Sequence, residues 1–154
     1  MADAMSNSLA SRLLNLVLRN QFYAPANPNY LWIGLFHSSS GLNGGSLADE
    51  VVLTAGGNYA RAQINLQSNP MFSSSTNGSV VSNQSDIAFA TATGTLGVDD
   101  WAPSGNEVTA AAILDSGTLG SGNILIWGNL AASKIIVVGD QFSISAGDFR
   151  IQFS

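Results

Sequence analysis

Cysteine is absent from the chain, which removes disulfides, thiolate metal sites and cysteine nucleophiles together. Histidine occurs once, at His37. Charge is scarce: 10% of residues are Asp, Glu, Lys or Arg, against roughly a quarter in an average soluble domain. The five bases, Arg12, Arg19, Arg61, Lys134 and Arg150, are scattered among ten acids. No basic patch exists to neutralise phosphates, so the chain is not expected to bind nucleic acid. Long apolar runs are missing too. "LASRLLNLVLRN" is broken by Arg12 and Arg19, leaving too short a stretch to span a membrane. No small-residue cleavage site follows it to make it a signal peptide. The expectation is a chain folded in a cytoplasm, with no membrane partner.

Polarity comes instead from Ser, Asn, Thr, Gln and 16 Gly. Such a surface carries little charge to repel a neighbouring subunit and tolerates close packing. The length of 154 residues fits one domain that can bury a core without a metal or disulfide.

One helix is expected, over residues 8–19. Leu9, Leu13, Leu16 and Val17 share a face, with Leu14 and Leu18 beside it and Ser8, Ser11, Arg12, Asn15 and Arg19 opposite. Ser6 or Ser8 can cap its start and Asn20 suits its end. It reads either as a lid on a β core or as an arm that docks on a partner. "FYAPANPNY", with Pro25 and Pro28, is a stiff connector.

After it the pattern is β throughout. "YLWIGLF" (Tyr30 to Phe36) is apolar on both faces, as in a central strand. "YARAQINL" alternates, with Ala60, Ala62, Ile64 and Leu66 toward a core and Arg61, Gln63, Asn65 and Gln67 toward water. A short strand at Val80-Val81, then "DIAFATA", "EVTAAAILD", "NILIWGNL", "KIIVV", "QFSIS" and "DFRIQF" follow, each bounded by turn residues. Short strands at this spacing mark a sandwich or barrel, and the lack of βαβ alternation excludes a parallel nucleotide-binding sheet.

Little here supports chemistry. His37 precedes Ser38-Ser39-Ser40, but adjacent strand residues point to opposite faces and no Gly-x-Ser-x-Gly elbow exists. Asp99-Asp100, Asp49-Glu50 and Glu107 lie in expected loops, not in a cleft that would raise one pKa for sugar hydrolysis. Trp101 beside Asp100 could stack on a sugar, although a core or interface anchor is the plainer use for Trp32, Trp101 and Trp127. Gly139-Asp140 and Gly147-Asp148 read as tight turns of a β meander, since a calcium site needs several converging oxygens. No catalytic, cofactor-binding or metal-binding residue is expected.

Several stretches together are distinctive. They are the helix ending "LVLRN", the aromatic-Pro connector, "YLWIGLF", "GGNYARAQINL", "DIAFATA", the Trp of "DDW", "AAILDSG", "ILIWGNL" and "GDQFSISAGDFRIQF". In this order they resemble a family of small structural proteins of tailed bacteriophages, often labelled tail fibre proteins, with Tyr59-Ala60-Arg61 the most telling motif. One departure is the insertion from Asn69 to Ser85. The resemblance implies a β-sandwich and a place in the virion. A fibre shaft needs heptads or β-repeats, and neither occurs. That favours a capsid decoration or cement protein over a tail fibre or baseplate component, with a glycan-binding or glycan-cleaving module a distant third.

The expected fold is thus mainly β: an antiparallel β-sandwich, jelly-roll or immunoglobulin-like, with one N-terminal amphipathic helix. Residues 1–28 form the helix and connector, and 29–154 the sandwich. The expected core comprises Trp32, Leu35, Ile64, Leu66, Ile87, Phe89, Ile113, Leu125, Trp127, Ile136, Phe142, Ile144, Ile151 and Phe153. The expected partners are copies of the chain, as a trimer, and other virion proteins such as the major capsid protein or tail proteins. Leu9, Leu13, Leu16, Val17 and Trp101 are the candidate assembly contacts.

Overall fold

The computed structural model describes residues 4–19, 29–52, 56–66 and 80–152. Its elements are β1 (Ala4–Met5), α1 (Asn7–Arg19), β2 (Tyr30–Phe36), a single 3-10 turn (Leu42–Gly44), β3 (Ala62–Asn65), β4 (Val80–Ser82), β5 (Ile87–Thr91), β6 (Val108–Leu114), β7 (Ile124–Lys134), β8 (Gln141–Ile144) and β9 (Arg150–Gln152). One five-stranded sheet runs in the order β1-β7-β6-β2-β3, and every pair in it is antiparallel. The protein is mainly β with one N-terminal helix, as the alternating pattern predicts.

Facing the sheet is a ribbon. β4 pairs with β9, and β5 with β8, both antiparallel. The registers line up: Val80 sits opposite Gln152 and Ser82 opposite Arg150, then Ile87 opposite Ile144 and Thr91 opposite Gln141. The two pairs are therefore consecutive halves of one two-stranded ribbon, interrupted at 83–86 and 145–149. Asn83 joins the halves. Its Nδ2 donates to Ser85 O and Ser145 O at 2.9 Å each, and its Oδ1 accepts the Phe149 N–H at 2.9 Å.

Apolar residues fill both faces of the sheet. Between sheet and ribbon lie Ile33, Leu35, Ile64, Ile87, Phe89, Trp101, Ile113, Leu125, Ile136 and Ile151. On the far face Phe36, Leu42, Ala110, Ala112, Leu114 and Ile124 pack with Leu47 and Trp127, under the loop that carries the 3-10 turn. β6 serves both. Ala111 and Ile113 face one cluster while Ala110, Ala112 and Leu114 face the other, the period-2 geometry of a strand buried on two sides. A register shift between Val108 and Ala110 turns Val108 back toward the ribbon.

Several expectations need correction. Leu66 is exposed because β3 ends one residue earlier, at Asn65. Trp32 is only half-buried and joins neither cluster, whereas Trp127, Phe142 and Ile144, also half-buried, do pack against the core as expected. Arg61 is buried, not wet, because it precedes the alternating strand and not a pleat position within it. "KIIVV" is not a strand: β7 runs on to Lys134, Ile135 is exposed, and Ile136 makes a single bridge to Ala102. The connector, Asn20, Phe153 and most of the Asn69–Ser85 insertion lie outside the described residues.

Gly139-Asp140 and Gly147-Asp148 do occupy turns. Both glycines have positive φ, 100° and 85°. Asp140 N–H bonds Val137 O, and Asp148 N–H bonds Ser145 O. They do not build a meander, however. β8 and β9 do not pair with each other, so the Gly147 turn offsets a strand and does not reverse it.

Candidate assembly site

The Tyr59-Ala60-Arg61 motif proves to be internal architecture. Arg61 Nε and Nη2 donate to the two carboxylate oxygens of Glu50, each at 2.6 Å, in a fork that is buried on both sides. Arg61 Nη1 also donates to Ser116 O at 2.6 Å and Ser121 O at 2.8 Å. One side chain thus ties the 3-10 loop to the β6–β7 turn. Gly34, in the middle of β2, makes the room: a Cβ there would lie 3.0 Å from Glu50 Oε1 and 3.1 Å from Leu114 Cδ1. Tyr59 Oη accepts the Leu35 N–H at 2.8 Å. Burial pushes the Tyr59 hydroxyl far above its ordinary 10.0; the Leu35 bond pulls the other way and Glu50 adds to the rise.

The residues weighed for catalysis are dispersed in local bonding. His37 N–H bonds Asp49 O, its carbonyl accepts the Thr109 hydroxyl, and its buried Nδ1 makes no hydrogen bond. Ser38 Oγ accepts the Ser40 N–H in a local turn. Asp99 is buried and accepts the Thr95 N–H; Asp100 accepts Val138 and Gly97 N–H. Glu107 accepts the Gly105 N–H, which holds its carboxyl below the usual carboxylate range. Among the described residues, no group of three or more His, Asp or Glu is placed to hold a metal ion.

Of the candidate contacts, Trp101 is placed in the core. It is 1% exposed, edge-on to Tyr59 at 5.2 Å and to Phe89 at 6.4 Å between ring centres. A side chain so enclosed cannot reach a partner, so Trp101 is a core anchor. The helix is different. Ser6 caps it, its Oγ accepting the Leu9 N–H, and the same hydroxyl donates to Ile124 O. β1 pairs Ala4 with Trp127 and Met5 with Ile126. The start of the helix is thereby sewn to β7, and Leu9 packs on the core.

Beyond that anchor the helix turns its apolar side outward. Leu14 is 60% exposed, Val17 76% and Leu18 75%, and Leu13 is exposed as well, whereas Leu16, Arg12 and Asn15 are half-buried. No residue of the helix is fully buried. Leu9 and Leu16 thus face the domain, and Leu13 and Val17 face solvent together with Leu14 and Leu18.

A second open surface lies between β7 and β8. The register steps from Ala110–Asn129 to Val108–Lys134, so residues 130–133 bulge away from β6. Among the described residues β8 pairs only with β5, and no described strand covers its other edge. Between bulge and edge is a groove of about 480 Å³ lined by Leu130, Phe142, Ile144 and Phe149, with Lys134 and Asp148 at its rim. Sequence periodicity gave no sign of it, because it depends on a bulge.

A family model described as "Podophage GP4 fiber I protein gp80" matches residues 4–152. No match is found among curated proteins. The matched span takes in the helix, both layers of the sandwich and the Arg61–Glu50 clasp, and the chain belongs to this family of phage fibre-type structural proteins.

Proposed function

We propose that the protein is a non-enzymatic building block of a podophage tail fibre, assembling with copies of itself and with other tail proteins. The observation that carries this reading is the family match over residues 4–152. Low charge and Gly/Ser loops suit a capsid cement protein equally well, so composition does not choose between them; the family match supports the fibre reading. The sandwich carries no heptad or β-repeat shaft, so its place is a compact unit of the fibre, such as a mount or knob. The separate local bonding of His37, Asp99, Asp100 and Glu107 supports the non-enzymatic part. The glycan reading loses its stacking candidate with Trp101 buried. Quantitative mass spectrometry of purified virions tests the proposal through copy number relative to the major capsid protein. A few dozen copies or fewer per particle is the expected result. Hundreds of copies would return the protein to the capsid surface and overturn the fibre reading.

A further inference from the structure

The groove between β7 and β8 has three features that a finished sandwich does not show. Its floor is made of residues that belong in a core. Phe142 and Ile144 alternate along β8 as core positions do, yet both stay half-buried, as does Leu130 across the gap, while Phe149 closes the bottom. One wall is a strand edge. Among the described residues β8 pairs only with β5, and the row of backbone N–H and C=O groups along an uncovered edge is a template for one more strand. A small apolar molecule would fill the floor and leave that edge unserved. Finally, the two rim charges are of opposite sign and mark opposite ends. Lys134 ends β7, where residues 135–140 lead into β8, and Asp148 lies beyond the far end of β8. Arg150 does not blur this polarity: it alternates with the buried Ile151, is exposed, and directs its Nε to Gly147 O.

We infer that the β8 edge receives an extended segment of a different virion protein, which adds as a strand antiparallel to β8 and turns alternate apolar side chains into the groove. β8 runs from the Lys134 end to the Asp148 end, so the incoming strand carries a base near its N-terminus, against Asp148, and an acid near its C-terminus, against Lys134. The antiparallel direction continues the β5–β8 pairing and is the more stable one. The occupant is not a second copy, because every described strand of this chain already has a partner and none is spare. The inference rests on the proposed assembly with other tail proteins, and names the surface and the chemistry of that contact.

The test uses the full chain and two fluorescent peptides with blocked ends. One is Lys-Thr-Val-Thr-Val-Thr-Asp; the other has its charges exchanged, Asp-Thr-Val-Thr-Val-Thr-Lys. Fluorescence anisotropy should show the first binding about threefold or more tighter at low salt, as two exposed ion pairs allow. Salt at about 1 M should remove the difference. Amide shifts on binding should be largest at residues 142–145. The variant Lys134→Asp, Asp148→Lys changes two exposed side chains and should reverse the preference. Should that variant not fold, the natural chain's choice between the two peptides decides alone. No binding of either peptide, equal binding of both, a preference that the exchanged variant keeps, or shifts centred away from β8 would each overturn the inference. So would self-association of the natural protein that the first peptide dissolves, since the occupant would then be a second copy. None of these results alters the copy number in virions, so the fibre reading stands or falls separately.

Discussion

Arg61 shows how a single residue can be recognised and misread at once. Its motif is distinctive in the sequence, but period-2 alternation assigned it to water. The alternation is real only from Ala62 onward, where β3 begins; just before it, Arg61 answers to Glu50 and Tyr59 to Leu35, which no local pattern reveals. The buried fork makes Arg61→Ala severe. Removing the cation leaves the Glu50 carboxylate enclosed without its partner, a loss of about 3–5 kcal/mol in chemical denaturation. Replacing both residues with apolar ones of similar volume should recover much of that loss. Gly34→Ala should cost ~1–3 kcal/mol, since the added methyl meets Glu50 and Leu114 at about 3 Å.

Tyr59 carries the pH dependence at this scale. Its folded-state pKa is raised by burial above the ordinary 10.0. The unfolded chain therefore loses this proton first. The stabilising contribution is complete below pH 10 and declines as pH rises beyond it. Urea denaturation between pH 9 and pH 11, on the order of one unit either side of the free-phenol value, should show stability falling toward the alkaline end. Tyr59→Phe should flatten that part of the profile while costing ~1–3 kcal/mol at neutral pH, because the Leu35 N–H is left unpaired.

Elements were legible where burial enforces a period and illegible where it does not. "YLWIGLF" and "DIAFATA" become β2 and β5 because a sheet face must be apolar at alternate positions. The ribbon was not foreseen as a ribbon. A Gly-Asp pair between two short apolar stretches looks the same whether the chain reverses or merely steps sideways, and at Gly147 it steps. The splice is held by Asn83, so Asn83→Ala should destabilise the β4–β9 half before the rest. Hydrogen exchange should show amides at Val81 and Ile151 opening earlier than those of β6, with a global cost of about 2–3 kcal/mol. Gly147→Ala should cost ~1–2 kcal/mol from its positive φ alone, because a Cβ there meets open space. The turn reading of Asp140, whose Oδ2 accepts the Val137 N–H, predicts that a calcium chelator leaves the melting temperature unchanged. A drop of several degrees would instead point to a bound ion.

For the whole molecule, fold class and helix were within reach of the sequence, because hydrophobic periodicity and turn residues determine them. The location in the virion was not. Few charges, small polar loops and a missing shaft describe a protein that packs closely with neighbours, and they describe capsid and tail proteins alike. The orientation of the helix was also hidden. A wheel diagram shows an apolar face but not which way the anchored first turn, capped by Ser6 and tied to β7, will aim it. The central claim is the proposed role as a fibre component of a phage particle, and gold-labelled antibodies against the sandwich on intact virions test it most directly. The account predicts gold confined to the tail and its appendages; gold spread over the head would contradict it.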